Sequence, residues 1–457
     1  MLVDLRDDSP LHVVEDGLLV CEQAAAPPVR QRAIVEHVGR PDAAPLDRLG
    51  VRVDPIGQHA VQPARELCLP PVHGRGPTVP AVARVFYAFR DSPQRRRALR
   101  AEAGAPERYL LFGLDELRSR GHDVEHNLER NAPPRWARVT GGAVKRGLER
   151  AGGYGGDFAT VLGSLGPANR ADVVFSTVDT VGIPLVLGHW AGALRRPLVY
   201  AAIGLPERLA QLRSERMRDL YAQALAGCAS ILAYSEREAR DLEAWLAERG
   251  RRMPVSFVPF GVETDAFRPT AEPATLDVVS VGADPHRDLS LLLTVARSLP
   301  ETSFSLVAGR DKTPARRDVP PNVSVEVDLP FDDMKRRLEE ARVVALPVRE
   351  NTYSGATTVL LQAMALGKPV VVSRTGAIAS GYELVDGDNC RLVPPGNAEA
   401  FARSLRDVLG DHAQARALRA NARTTVERSL TWDRYVDRIE AALAAAAAVA
   451  RAGSPPS

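Results

Sequence analysis

The stretch RENTYSGATTVLLQAMALGKPVVVS, residues 349–373, gathers the residue types and spacings with the most chemical promise. Ser354, Gly355 and Ala356 lead into a helical rhythm (Ala356, Val359, Leu360, Ala363, Met364) that stops at Gly367, and a strand-like run, Pro369 to Val372, follows. The first turn of a helix carries N–H groups without intrahelical partners and a positive dipole end, so it favours an anion. Gly355 and Ala356 have little side chain to obstruct a phosphate, and Thr357 and Thr358 can add hydroxyl donors. A diphosphate docked on the amides of 355–358 is therefore a sensible ligand. Ser354 would serve equally as an ordinary N-cap, contributing about 1 kcal/mol, with Gln362 a stray amide two turns further in. The pattern alone does not choose between these readings.

The elements that must position this stretch read as two α/β halves. The first has a strand at 83–89, one amphipathic helix in RYLLFGLDELRSRG ending at Gly121, the strand DVEHNL, a strand at 172–177 and a helix near 183–194. It continues with a strand at 197–203, a long polar helix at 207–227, the strand SILAYS, a helix at 236–249 and a strand at 254–260. The second half runs through strands at 276–283, 303–309, 323–328 and 343–348, then the opening helix, PVVVS and CRLVPP, with helices at 288–298, 331–341 and 397–409. Strands alternating with helices imply right-handed crossovers and parallel sheets. The expected division is a poorly ordered extension at 1–80, domains at 81–265 and 266–430, and a helix with tail at 431–457 whose polyalanine end is compatible with a bland tether. Breakers such as LPPVHGRGPTVP crowd residues 1–80, and a clean first strand comes only at 83–89, so these residues are expected to lie upstream of the true translation start; a truncation beginning near Val79 that fails to fold or loses all activity would refute this.

Bulk properties set the bounds. At 457 residues, two domains and an appendage are the natural prior, and the net charge of +2 gives no global reason to expect nucleic acid. Cys21, Cys68, Cys228 and Cys390 lie far apart, which indicates neither a zinc site nor a disulfide framework. No apolar run approaches the roughly 20 residues needed to span a bilayer. A reducing cytoplasm is the expected location, with a peripheral place at the inner membrane face as an option.

Beyond pattern, FVPFGVETDAFRP, AYSEREARDL and LLQAMALGKPVVVS followed by DGDNCRLVPPGNAEAFARSL resemble, in matching order and spacing, motifs of the retaining GT-B glycosyltransferases of the glycosyltransferase 4 type, over roughly residues 83–440. The resemblance implies a GT-B fold: two Rossmann-like, doubly wound parallel-sheet domains facing across a cleft. It implies a metal-independent transfer with no cofactor, from a nucleotide-diphosphate sugar bound by the C-terminal domain to a glycan, lipid or small-molecule acceptor on the N-terminal one. The family's hallmark glutamates, eight residues apart, fall here on Ser354 and Gln362, so both carboxylates are absent. Gln can still bond ribose hydroxyls, but Ser cannot stabilise an oxocarbenium electrostatically.

The family's basic pair over the diphosphate is half kept. In VGADPHRDLSLLL, after Gly282, Arg287 takes the lysine's place and Ala283 the arginine's, while Arg310 in VAGRDK is a candidate to share the task. Glu350 is the nearest replacement carboxylate. The catalytic candidates are thus Arg287, Glu350 and Ser354, and the donor-binding ones Gly282, Arg287, Arg310, Ser354, Gly355, Ala356, Thr357, Thr358 and Gln362. Ile203 stands where the family usually has a histidine, His189 is expected to pack inside a helix, and AGGYGGD reads as a flexible connector. The D-x-D of DGDN reads as turn chemistry rather than a metal site.

Two other classes stay open: a nucleotide-sugar-binding protein without turnover, and a nucleotide-sugar epimerase. The basic sequence RWARVTGGAVKRGLER, with Arg95, Arg96 and Arg97, could touch anionic lipid or a polyanionic acceptor, or form solvated surface.

Overall fold

The computed structural model describes residues 83–102, 105–129, 132–353 and 355–452. The expectations for residues 1–80, and those for Ser354, Cys21 and Cys68, lie outside the described residues. The first sheet contains β1 (Arg84–Ala88), β2 (Asp123–His126), β3 (Val173–Thr177), β4 (Leu198–Ala202), β5 (Ser230–Ala233) and β6 (Val255–Phe257). The second contains β7 (Leu276–Val281), β8 (Phe304–Ala308), β9 (Val323–Val327), β10 (Ala341–Leu346), β11 (Val370–Ser373) and β12 (Arg391–Val393). Strands such as β3, β4, β8 and β11 are buried along their whole length, as parallel strands covered on both faces must be.

Every pairing in both sheets is parallel. The strand orders are β2-β1-β3-β4-β5-β6 and β12-β11-β10-β7-β8-β9. The winding therefore reverses between β1 and β3 in the first sheet and between β7 and β10 in the second. A crevice opens outside the carboxyl ends at such a point, and ligands of open α/β sheets bind there. The opening stretch begins at the second of these crevices.

Several helices differ from the sequence expectation. The segment RYLLFGLDELRSRG is a 3-10 turn, Pro106–Leu111, and a short helix, Leu114–Ser119, separated by Phe112 and Gly113, both with positive φ of 53° and 83°. Tyr87 donates its hydroxyl to the Phe112 carbonyl, 3.1 Å away, and Val436 packs 3.1 Å from where a Cβ on Gly113 would stand. Tertiary contacts thus hold the kink. The expected helix at 207–227 is likewise two, Leu205–Ala210 and Glu215–Leu225, because the Arg213 amide turns aside to the Gly152 carbonyl at 3.0 Å. AGGYGGD is accordingly a bonded turn rather than a loose connector, and its Asp157 caps the helix Phe158–Arg170 by accepting from the Thr160 amide at 3.0 Å.

The last helix, Trp432–Ala452, leaves the second sheet and packs on β3 and β4 of the first. Trp432, Tyr435, Val436, Ile439 and Leu443 are buried in the same core as Val173 and Phe175, and so are Ala446 and Ala447 of the polyalanine end. The alanines are small because they face a sheet, which corrects the tether reading. Trp432 donates its indole N–H to Glu116 at 2.6 Å.

The chain crosses between the sheets twice, and the crossings lie side by side. Val262 donates to Leu430 and Trp432 donates to Val262, both at 3.0 Å. A Cβ on Gly261 would stand 2.5 Å from the Thr431 carbonyl oxygen. Gly261→Ala is expected to force the crossings apart at a cost of about 1–3 kcal/mol, seen as a melting temperature several degrees lower.

Candidate functional site

The loops that leave β7 and β10 are woven together. Arg287 pairs with Val348 as an antiparallel bridge, Asp288 donates to the Pro347 carbonyl at 2.9 Å, and Arg349 donates its amide to the His286 carbonyl at 2.8 Å. This joins the segment Gly282–Asp288 to the segment that precedes the helix Thr357–Ala365. Sequence reasoning took Arg287 from the first segment and residues 355–358 from the second, and the structure brings them to one crevice.

Arg287 is 5% exposed, and burial lowers its pKa to about 10 while the nearby Asp284 carboxylate opposes the shift, so it remains a cation at neutral pH. One terminal nitrogen, Nη2, donates to the Val281 carbonyl at 2.6 Å and the Ser280 hydroxyl at 3.2 Å. Its Nε and Nη1 have no partner although they are buried. Gly282 makes the position feasible, since a Cβ there would lie 2.8 Å from Nε.

The helix begins at Thr357, later than expected, with Ala356 in the N-cap position and no side-chain cap. Its first internal bond runs from the Leu360 amide to the Ala356 carbonyl, 2.9 Å, so the amides of Thr357, Thr358 and Val359 have no acceptor within the helix. Every residue from Thr357 to Ala365 is buried. Gln362 is among them, and its Oε1 has no partner. Gly355 has no room for a side chain, because its Cβ would lie 2.6 Å from Asp284 Oδ1.

Asp284 was not singled out from sequence. Burial pushes its carboxyl up to about 6, even though the His286 amide (2.8 Å) and the Tyr353 hydroxyl (2.9 Å) donate to it. Beyond the ends of β7 and β8 lies a small open recess, with a volume of only about 20 Å³, lined by Val281, Gly282, Val307, Gly309, Phe331 and Val359 among others. Its walls are mainly apolar, with main chain at the glycines and one aromatic ring.

Two candidates point elsewhere. Arg310 is an exposed residue whose amide and Nε donate to Asp328 at 3.0 and 3.1 Å. Glu350 accepts from the Gly376 amide at 2.8 Å and faces Arg237 of the first domain, so it braces the loop after β11. Ile203 is buried at the end of β4, as is much of His189 on its helix. In the DGDN turn, Asp386 accepts from Leu392 at 2.8 Å and Asp388 from Asn421 at 2.9 Å. Among the described residues no group of three His, Cys, Asp or Glu converges as a metal site.

Sequence reasoning also missed Glu207, just after β4 in the first domain. Its Oε1 accepts from the Thr352 amide at 2.8 Å and the Thr352 hydroxyl at 3.1 Å, and Oε2 lies 3.3 Å from His286 Nε2. Burial alone would raise its pKa, but His286 and Thr352 outweigh that and hold it at about 2, while the same contact raises His286. Ser235, capping another first-domain helix, donates its hydroxyl to the Thr352 carbonyl at 2.6 Å. Thr352 is thus gripped on both its polar backbone groups, two residues before position 354. No local spacing signals a partner 145 residues away.

Comparison with known proteins agrees with this geometry. Residues 277–411 match the family described as glycosyl transferases group 1. The structure aligns with sucrose-phosphate synthase from Thermosynechococcus elongatus at a TM-score of 0.58 and 18% identity, covering 78% of this chain and 98% of that one. It aligns with Anabaena HepE, solved with UDP-glucose, at 0.55 and 15% identity, covering 79% and 99%. The fold is GT-B. Its two Rossmann-like domains are the two sheets described above, and the glycosyl transferase group 1 match falls on the second. A sequence relative, the MMP alpha-(1->4)-mannosyltransferase of Mycolicibacterium hassiacum, is 28% identical over 215 residues, 44% of this chain and 50% of its own length. The chain therefore spans about half the length of the curated relative it matches.

Proposed function

We propose that the protein transfers a hexosyl group, with retention of configuration, from a nucleoside-diphosphate sugar to an acceptor held by the first domain. The observation that carries this reading is Arg287, a buried cation with two unpartnered N–H positions at the strand-order reversal of the group 1 domain. A buried donor left unsatisfied costs about 1–3 kcal/mol, and more when charged, so a fold keeps one where a ligand will satisfy it. HepE, of the same fold, was solved with UDP-glucose, which supports a nucleotide sugar as the donor.

In this reading the base lies against the mouth of the recess beside Phe331, Gln362 bonds the ribose hydroxyls, and the diphosphate rests on the first amides of the helix Thr357–Ala365. As the glycosidic C–O bond breaks, negative charge accumulates on the departing diphosphate. Arg287 and the helix terminus meet that charge where it develops, which is the largest electrostatic contribution such a site can make. The first of the family's carboxylates has no counterpart at position 354, and Glu350 is occupied with Gly376. Glu207, on the opposite wall, is likewise engaged with Thr352 and His286, and its part is to hold the loop before position 354 in place. Binding without turnover is the second reading, and the absence of both hallmark carboxylates at positions 354 and 362 favours it.

A thermal-shift screen over nucleoside diphosphates and their sugars tests the donor site. A ligand at a hundredfold excess over its Kd should add about 2.7 kcal/mol of stability, and a flat response over the panel would overturn the assignment. Product analysis then separates the outcomes: a transferred sugar, unchanged donor, or an epimerised free nucleotide sugar.

A further inference from the structure

We infer that the helix Arg135–Arg150 of the first domain lies in the surface of an anionic lipid bilayer. Its inner face is built from small residues: Ala137 and Gly141 are buried, and a Cβ on Gly141 would stand 2.5 Å from the Ala159 amide of the neighbouring helix. Trp136 and Val139 point the other way, while Leu148 packs inward and Val144 stands beside the inner face. Trp136 is 58% exposed, Val139 65% and Val144 38%, so three of the seven large hydrophobics exposed among the described residues share one helix. An ordinary surface helix turns its large apolar side chains inward; this one turns Leu148 inward and leaves its tryptophan outside.

The exposed residues form an ordered surface. At 100° per residue, Val139, Ala143, Trp136 and Gly147 fall within about 80° of arc. Arg135 and Arg146 border that stripe, Arg150 closes its end, and Arg138 and Lys145 stand further round, all exposed. Five cations face one acid, Glu149, on a chain whose total charge is only +2. An apolar stripe edged by cations matches the interior-to-headgroup boundary of an anionic leaflet, where tryptophan is at home and each cation adds attraction. Arg95, grouped with this patch on sequence, does not belong to it: its guanidinium is buried against Phe89 and Phe112. No described helix is long and apolar enough to cross a membrane, so the contact is peripheral.

The helix also has a functional position. A cavity lined by Asp91, Asn127, Pro133, Pro134 and Thr160 connects its start to the loop after β1. The Trp136 end therefore stands at the carboxyl edge of the first sheet, and docking brings that edge to the lipid surface whether or not the donor assignment holds.

Flotation of the full chain with vesicles of phosphatidylcholine alone, and of phosphatidylcholine mixed with phosphatidylglycerol, tests the inference. The protein should float with the mixed vesicles only, and less so in raised salt. The pair Trp136→Ser with Val139→Ser, and separately Arg135→Glu with Arg146→Glu, should each lower vesicle binding by at least about tenfold; all four side chains are exposed, so the melting temperature should not move. Equal flotation with both vesicle types, no flotation of the unaltered protein, or loss in the charge variant alone would overturn it.

Discussion

Replacing Arg287 with methionine is expected to lower turnover by about 10²–10³-fold, the range seen when one preorganised donor to developing negative charge is removed. The melting temperature should meanwhile stay within a few degrees of the unaltered protein. The two expectations diverge because of what the guanidinium does in the unliganded fold. Only Nη2 is satisfied there, while Nε and Nη1 are buried without partners. A buried group that is half satisfied adds little or nothing to stability, and an apolar side chain of similar length fills its volume without the desolvation cost. Kinetics and a thermal melt on the same preparation check this. Normal turnover would remove Arg287 from the site, and collapse of the fold would make it a structural cation.

Glu207→Gln should lower kcat by roughly 10–100-fold, as expected when the two walls of a cleft lose their register, with donor binding in the thermal-shift assay little changed. The amide can still accept from Thr352, but it loses the ion pair with His286. The sign of the pH dependence follows from the two shifts. Glu207 is depressed from 4.5 to about 2, so its contribution is full above the unfolded value and is lost as pH falls from 4.5 toward 2. His286 is raised above 6.5, so its contribution is full below that value and is lost as pH rises through the folded pKa. Charged groups facing His286 are Glu207, Asp284 and Arg349, two acids against one cation. The clasp should therefore be strongest from about pH 4.5 to about 6.5 and weaken as pH rises further, with the Glu207 shift corresponding to at most about 3 kcal/mol, reduced by solvent screening. A melting-temperature profile for Glu207→Gln should lose the acidic limb below pH 4.5. A profile identical to that of the unaltered protein would show the clasp to be inert.

Local pattern carried the second domain well. Runs such as VVALPV and PVVVS are buried on both faces, and an apolar run between breakers can hardly be anything but a strand of a covered parallel sheet. The first domain was harder for a specific reason. Its kinks depend on distant partners, such as Val436 against Gly113 and the Gly152 carbonyl taking the Arg213 amide, and no window of sequence contains both members. The helix His412–Ser429 went unread because its apolar positions are few. Its Arg423 nevertheless donates to the carbonyls of Thr264, Phe267 and Ala365, tying the crossing to the helix Thr357–Ala365. In the site, Arg287 and the helix mouth were legible because each sits in a short motif. Glu207, His286 and Asp284 were not, since their meaning lies in who faces whom across the cleft.

The helix Trp432–Ala452 gives this molecule an order of assembly. The sheet of the first domain is synthesised first, but the aromatic and alanine face that seals β3 and β4 is synthesised after the whole of the second domain. During translation the earlier sheet must wait with apolar strands uncovered, a state in which chaperones act and misassembly begins. The domain that is made second can close on its own helices. The protein therefore matures in the reverse of its reading order, and its second domain is built before its first is complete.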